Sequence, residues 1–130
     1  PFGVIFLFIN TFDMYEYNAT CLRVIDGDTV DCIIDLGFSI QHKVRVRLAG
    51  IDTPETRTRD LDEKKRGLEA KDRVVELINK NNSKFIIKTE YDRTGKYGRV
   101  IGTIFLSSES ESLNDLLVTE GHALEKNYDN

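Results

Sequence analysis

The sequence of 130 residues contains only two cysteines, Cys21 and Cys32, and only two histidines, His42 and His122. A structural zinc site needs four such ligands close together, and these four are scattered along the chain, so no such site is predicted. The histidines are also too isolated to predict histidine-based catalysis. The cysteines flank Asp26-Gly27, and a hairpin there would place them opposite each other, as a disulfide or, the favoured alternative, as two small buried thiols.

The chain also lacks a net positive charge, since its formal charge is −4. This balance excludes a general basic coat for nucleic acid. The charge is nevertheless uneven: residues 1–40 carry one basic and six acidic side chains, residues 41–104 carry sixteen and ten, and residues 105–130 carry one and six. A positive middle section between acidic ends can still attract a polyanion locally.

No apolar run is long enough to span a bilayer as a helix, because the longest occupies residues 1–9. No basic segment precedes this run and no Ala-x-Ala site follows it, as a complete signal peptide would require. The only methionine is Met14. We therefore expect residues 1–13 to be a leader or upstream read-through outside the fold, and residues 14–130 to form the domain. Secretion is expected if residues 1–13 end a signal peptide, and a cytoplasmic location otherwise.

Local patterns predict strands and helices. Short apolar runs and strict alternation predict five strands, over residues 18–25, 29–36, 43–49, 84–88 and 100–106. Asp26-Gly27 predicts the turn between the first two. The alternation in the third places Lys43, Arg45 and Arg47 on one face.

The remaining segments predict helices and loops. Residues 57–66 are almost entirely polar and predict a loop, whereas residues 67–79 show a helical apolar face that includes Leu68 and Val74. A second helix is predicted over residues 113–120, with Ser112 as its N-cap and Gly121 at its end. The order predicts an α+β fold: a five-stranded, mostly antiparallel Greek-key barrel of the oligonucleotide/oligosaccharide-binding (OB) type, with two helices packed on it.

Carboxylates accumulate where these strands end. Asp26 and Asp28 lie at the first turn, and Asp52 and Glu55 follow the third strand, which carries Arg47. Carboxylates are costly to bury unpaired, but their oxygens are the preferred ligands of a hard cation. The planar fork of an arginine suits a phosphate. The combination predicts metal-assisted chemistry on a phosphodiester.

Four blocks of the sequence resemble the staphylococcal (micrococcal) nuclease family, also called thermonuclease. The blocks are Val24-Ile25-Asp26-Gly27-Asp28-Thr29-Val30, Val46-Arg47-Leu48, Asp52-Thr53-Pro54-Glu55-Thr56 and Lys96-Tyr97-Gly98-Arg99. Each block alone is a weak signal, but the order and spacing of all four match over roughly residues 18–126. The family fold is an OB barrel with helices, which agrees with the pattern-based prediction.

The resemblance implies a role for each matched residue. It implies calcium coordination by Asp28, Asp52 and the backbone carbonyl of Thr53, and a general base at Glu55. It further implies phosphate clamps at Arg47 and Arg99, and substrate-binding roles for Lys96 and Tyr97. Tyr128 is a weaker candidate for stacking on a base. Without the resemblance, the two aspartates are as well explained as turn residues. Arg47 is then better explained as a surface strand residue, and Arg99 as a turn residue after Gly98.

The resemblance implies a calcium-dependent endonuclease that acts on single-stranded DNA and RNA, and on breathing duplex DNA, and leaves 3′-phosphate ends. The alternative is an OB-fold module that binds single-stranded nucleic acid without cleaving it. The retained set of acids and arginines favours the enzyme, because a binding module does not need it. We expect DNA and RNA as partners, no membrane, and a monomer.

Overall fold

The computed structural model describes residues 15–90 and 99–126. The predictions for residues 1–13, Lys96, Tyr97 and Tyr128 therefore lie outside the described residues. The strands are β1 (Tyr15–Asp26), β2 (Thr29–Asp35), β3 (Gln41–Leu48), β4 (Ile51–Asp52), β5 (Lys84–Glu90), β6 (Arg99–Phe105) and β7 (Leu124–Glu125), and the helices are α1 (Leu61–Lys80) and α2 (Leu113–Thr119).

Five of the strands form a closed barrel in the order β1-β2-β3-β6-β5. All neighbours in this barrel are antiparallel except β3 and β6, which run parallel, with Arg45 opposite Arg99. The alternation in β2 and β3 points Val30, Cys32 and Ile34, and Val44, Val46 and Leu48, into the barrel, where each is buried. The predicted OB-type α+β barrel with two helices is confirmed.

The β1–β2 hairpin places Cys21 directly opposite Cys32, as the predicted turn at Asp26-Gly27 requires. Both cysteines are free thiols. Cys32 is fully buried in the core, and this burial raises the pKa of its thiol to about 12. Burial also raises the pKa of the half-buried Cys21 thiol. Such thiols behave as small apolar core residues rather than as reactive groups.

Helix α1 begins at Leu61, so the prediction that residues 57–66 form a loop is wrong for its second half. The Asp60 carboxylate caps the helix by accepting the backbone N–H groups of Asp62 and Glu63. The first turns of α1 face solvent and carry mostly polar side chains. They therefore lack the apolar periodicity from which a helix is predicted. Among the described residues, no helix is long and apolar enough to cross a membrane.

The buried face of α1 consists of Gly67, Ala70, Val74 and Ile78. The predicted face included Leu68, which is instead 42% exposed. The small buried residues Gly67 and Ala70 therefore lie in the half of α1 that approaches the β1–β2 turn, and the larger Val74 and Ile78 pack into the hydrophobic core. A Cβ at Gly27 in this turn would lie 2.9 Å from the Cβ of Ala70, which shows how closely the turn approaches the helix.

Helix α2 begins after the predicted N-cap, Ser112, whose hydroxyl accepts the N–H of Asp115. Its buried Asn114 accepts the N–H of Ile104 at 3.1 Å and donates to the carbonyls of Ala49 and Gly102 at 2.9 and 3.2 Å. These bonds fasten the chain just before β4. Strand β4 also pairs with β7 in a small antiparallel sheet that the sequence patterns did not predict.

Candidate active site

Arg47 lies at the end of β3 with only 11% of its side chain exposed. Its Nη1 donates to the carbonyl of Leu48 at 3.2 Å, and its Nη2 donates to Oδ1 of Asp52 at 3.1 Å. The same guanidinium lies 3.4 Å from Oδ2 of Asp28. The described residues offer no partner to Nε. One arginine therefore joins the two predicted metal-binding carboxylates and keeps donors free for an anion.

Asp28 occupies the β1–β2 turn and is 8% exposed. Its Oδ2 accepts the backbone N–H of Thr53 at 3.0 Å, and its Oδ1 accepts the hydroxyl of Thr29, also at 3.0 Å. Its carbonyl accepts the N–H of Leu48 at 2.8 Å. Because a partly buried carboxylate is costly without partners, these bonds explain how an acid is tolerated here. They also fix the turn against the ends of β3 and β4.

Thr53, which follows β4, is 8% exposed. Its hydroxyl oxygen is buried and has no hydrogen-bond partner among the described residues. Leaving a buried polar group unpaired typically costs about 1–3 kcal/mol, so such an atom calls for a ligand or water. Beside it, Asp52 keeps 55% of its side chain exposed.

The donor set at this position suits a hard cation. It comprises two carboxylates and the oxygens of Thr53, and oxygen is the ligand that Ca²⁺ prefers. Among residues 15–90 and 99–126, no group of three or more His, Cys, Asp or Glu side chains is arranged to hold a metal ion. The residues present fit a calcium ion in the kind of ligand, since all are oxygen donors, but not in number. Most of its six to eight oxygens must therefore come from water and substrate.

Glu55 lies on the adjacent loop between β4 and α1, where its side chain is exposed. Its backbone N–H donates to Oε1 of Glu63 at 3.3 Å, while its own carboxylate has no partner among the described residues. The hydroxyl of Thr56 donates to the Asp26 carboxylate, and that of Thr58 lies 3.5 Å from Oε2 of Glu63. The loop is thus held at several points while the carboxylate stays available.

Gly67 of α1 also supports this loop. A Cβ at Gly67 would lie 2.6 Å from the carbonyl oxygen of Glu55 and 2.8 Å from that of Pro54. Only glycine permits the backbone of the loop to rest on the helix at this distance. Gly67, Glu63 and Asn114 were not predicted from the sequence, because none of them belongs to a recognisable motif.

Arg45 differs from Arg47 although both side chains leave the same face of β3. Arg45 is exposed and makes a two-point ion pair with Asp31, at 2.8 and 3.1 Å. This hydrogen-bonded guanidinium holds the pKa of the Asp31 carboxyl below its usual value. Arg45 is therefore already neutralised on the outer surface, whereas Arg47 lies inside the cluster of acids.

The structure thus brings Asp28, Arg47, Asp52 and Thr53 into one contact network and places Glu55 on the next loop. The backbone of Arg99 begins β6, the parallel neighbour of β3, with Ile101 opposite Arg47. The catalytic and ligand roles of these residues stay predictions, as do those of Lys96, Tyr97 and Tyr128 outside the described residues.

The chain is similar to known proteins over most of its length. Residues 45–130 match the family described as staphylococcal nuclease homologue. The chain is 36% identical over 115 residues to the thermonuclease of Staphylococcus hyicus, covering 87% of this chain and 62% of that protein. It is 33% identical over 135 residues to the thermonuclease of Staphylococcus intermedius, covering 96% and 74%. Protein ParB of Escherichia coli is 32% identical over 97 residues, covering 75% and 46%. The chain thus spans less than two thirds of the S. hyicus and E. coli proteins.

Proposed function

The chain belongs to the staphylococcal nuclease family, and on this basis we propose that it is a calcium-dependent endonuclease of single-stranded DNA and RNA. Breathing duplex DNA is a further substrate, and the products end in 3′-phosphate. The observation that carries the proposal is the position of Arg47, largely buried between the carboxylates of Asp28 and Asp52. A strand end arranged in this way suits a phosphodiester that approaches together with a cation.

Asp28, Asp52 and Thr53 would hold the calcium ion. When bound, the ion supplies Lewis-acid polarisation of a phosphoryl oxygen and a template for the substrate. The weak inner set of two carboxylates implies that calcium binds loosely without substrate. We therefore expect calorimetry to show tighter calcium binding with a nucleoside 3′,5′-bisphosphate than without it. Equal affinities, or full turnover in magnesium alone, would contradict the calcium assignment.

The residues of this chain perform the remaining steps. Arg47, and Arg99 on the parallel neighbour strand, donate hydrogen bonds to the non-bridging oxygens as negative charge develops there. Glu55 accepts a proton from the attacking water, since its carboxylate has no partner among the described residues and is free to contact one. The oxygen of this water bonds to phosphorus while the bond between phosphorus and the 5′ oxygen breaks. The departing 5′ oxygen takes a proton from solvent, and the phosphate stays on the 3′ side.

The test compares two arginines of one strand face. We expect Arg47→Lys to lower turnover on labelled single-stranded DNA by about 10²–10³-fold, because an ammonium cannot reproduce the fixed fork of donors. Arg45→Lys keeps the same charge on the outer surface and should change turnover less than twofold. The assay is run with calcium and with chelator, and product ends are analysed for 3′-phosphate.

The outcomes separate the two functions considered. Equal loss in both variants, or loss in neither, would show that the arginines act only through their general field. Binding of single-stranded DNA without cleavage at any calcium concentration would instead support the non-catalytic module. Products carrying 5′-phosphate would contradict the proposed leaving group.

A further inference from the structure

A cavity of about 290 Å³ opens directly beside Asp52 and Thr53. One wall is the end of β4 with Pro54, the second is the start of α1 with Arg66, and the third is the segment after α2 with His122 and Leu124. The cavity shares Asp52 and Thr53 with the candidate active site, and its Glu63 supports the loop of Glu55, but Arg66, His122 and Leu124 carry no role in the chemistry proposed above.

The apolar lining of this cavity includes Pro54 and Leu124. Leu124 is 77% exposed and Pro54 is half-buried, so both keep apolar surface that does not pack in the core. The half-buried His122 is fixed through its backbone N–H, which donates to the carbonyl of Leu117 at 2.9 Å. Its ring makes no hydrogen bond to a described residue. An imidazole and two apolar side chains together form a surface on which a nucleobase can stack.

The charged side chains that line the cavity are Asp52, Glu63 and Arg66, and Arg66 is the basic one. Oε1 of Glu63 already accepts the backbone N–H of Glu55 at 3.3 Å. The Arg66 side chain is exposed and forms no ion pair with a described residue. Arg73, two turns further along the same helix, is by contrast bound to both Glu76 and Glu120. A guanidinium without a protein partner at the rim of a cavity is suited to bind a phosphate.

We propose that this cavity is a nucleotide subsite, in which the unit next to the cleaved phosphodiester binds. Its base stacks on His122 and Leu124, and Arg66 contacts the following phosphate. The inference rests on the proposed function, since the strand is oriented by the phosphate at Arg47. The subsite explains how a chain with a net charge of −4 holds a single-stranded substrate. One stacked base and one further phosphate add to the contact between Arg47 and the cleaved phosphate.

The test uses a thymidine trinucleotide whose bridging 5′ oxygens are replaced by CH₂, which keeps the charge and prevents cleavage at that bond. In a ¹H–¹⁵N NMR titration with calcium, we expect the amides of residues 122–124 and of Arg66 to shift together with those of residues 47–53. His122→Ala and Arg66→Ala should each weaken trinucleotide binding by about tenfold. Lys65→Ala removes the same charge from a neighbouring exposed position outside the cavity and should weaken it less than twofold.

The two proposals fail in different ways. Shifts confined to residues 47–53, or equal losses in Arg66→Ala and Lys65→Ala, would overturn the subsite and leave the active-site assignment intact. No shifts around Arg47, together with no turnover of the natural oligonucleotide, would overturn the proposed function and the subsite with it. Joint shifts with selective loss in the two cavity variants would support the inference.

Discussion

The substitution Gly67→Ala tests the contact between helix α1 and the loop that carries Glu55. Two effects of opposite sign compete. Alanine is favoured over glycine in a helix interior by about 1 kcal/mol. The added Cβ, however, would lie 2.6 Å from the carbonyl oxygen of Glu55, whereas ordinary van der Waals contacts begin at 3.4 Å, so the two must separate by about 0.8 Å.

The clash is expected to outweigh the gain in helix propensity. The atoms nearest the new Cβ belong to the backbone of Pro54 and Glu55, which cannot rotate away as a side chain would. Overpacking of this kind costs about 1–3 kcal/mol, so the net loss in free energy of unfolding should be about 1 kcal/mol. A displacement of about 1 Å can cost about 10²-fold in rate. Turnover should therefore fall by up to about 10²-fold, although the free energy of unfolding falls by only about 1 kcal/mol.

The assays are urea unfolding followed by circular dichroism, and turnover on labelled single-stranded DNA. Asn79→Ala, at an exposed position of the same helix, is the control: it gains helix propensity without a clash and should be slightly stabilised and fully active. If Gly67→Ala were as stable as this control and kept wild-type turnover, the loop would not rest on the helix, and the argument would fail.

Three further predictions concern other parts of the site and its support. Glu55→Gln keeps shape and removes the base, so kcat should fall by about 10²–10⁴-fold with little change in substrate affinity; near-normal turnover would reduce Glu55 to a loop residue. Asn114→Ala leaves the Ile104 N–H and the Ala49 carbonyl without this partner, whereas the Gly102 carbonyl keeps the N–H of Ala49, so urea unfolding should show a loss of about 2 kcal/mol, and a loss below about 1 kcal/mol would contradict its role in fastening β4. The Arg73 guanidinium holds the pKa of Glu120 below its usual value, so the ion pair stabilises the fold above the unfolded-state pKa and this contribution is lost as pH falls through the folded-state pKa. The stability difference between wild type and Glu120→Gln should therefore shrink on acidification, and a constant difference from pH 7 to pH 3 would refute the linkage.

The sequence by itself determined the strands, the turn at Asp26-Gly27 and the capped second helix, because alternation and turn chemistry are local properties. It also determined which acids and arginines are candidates for metal and phosphate binding, since these residues lie near strand ends in four recognisable sequence blocks. It failed at the start of α1, where the cap is Asp60 and the first turns have no apolar stripe. It also missed the small sheet of β4 and β7, because two-residue strands carry no periodicity.

Only the tertiary structure decided how the site is assembled. Arg45 and Arg47 share one strand face and one pattern, yet barrel closure leaves the first at the surface and buries the second between Asp28 and Asp52. The bond from the Thr53 N–H to Asp28 and the contact of Gly67 with the Glu55 loop join segments far apart in the chain. The cavity at His122 is likewise lined by three segments that are separate in the chain and adjacent in the folded structure. Such proximities depend on packing between distant residues, which no local pattern encodes.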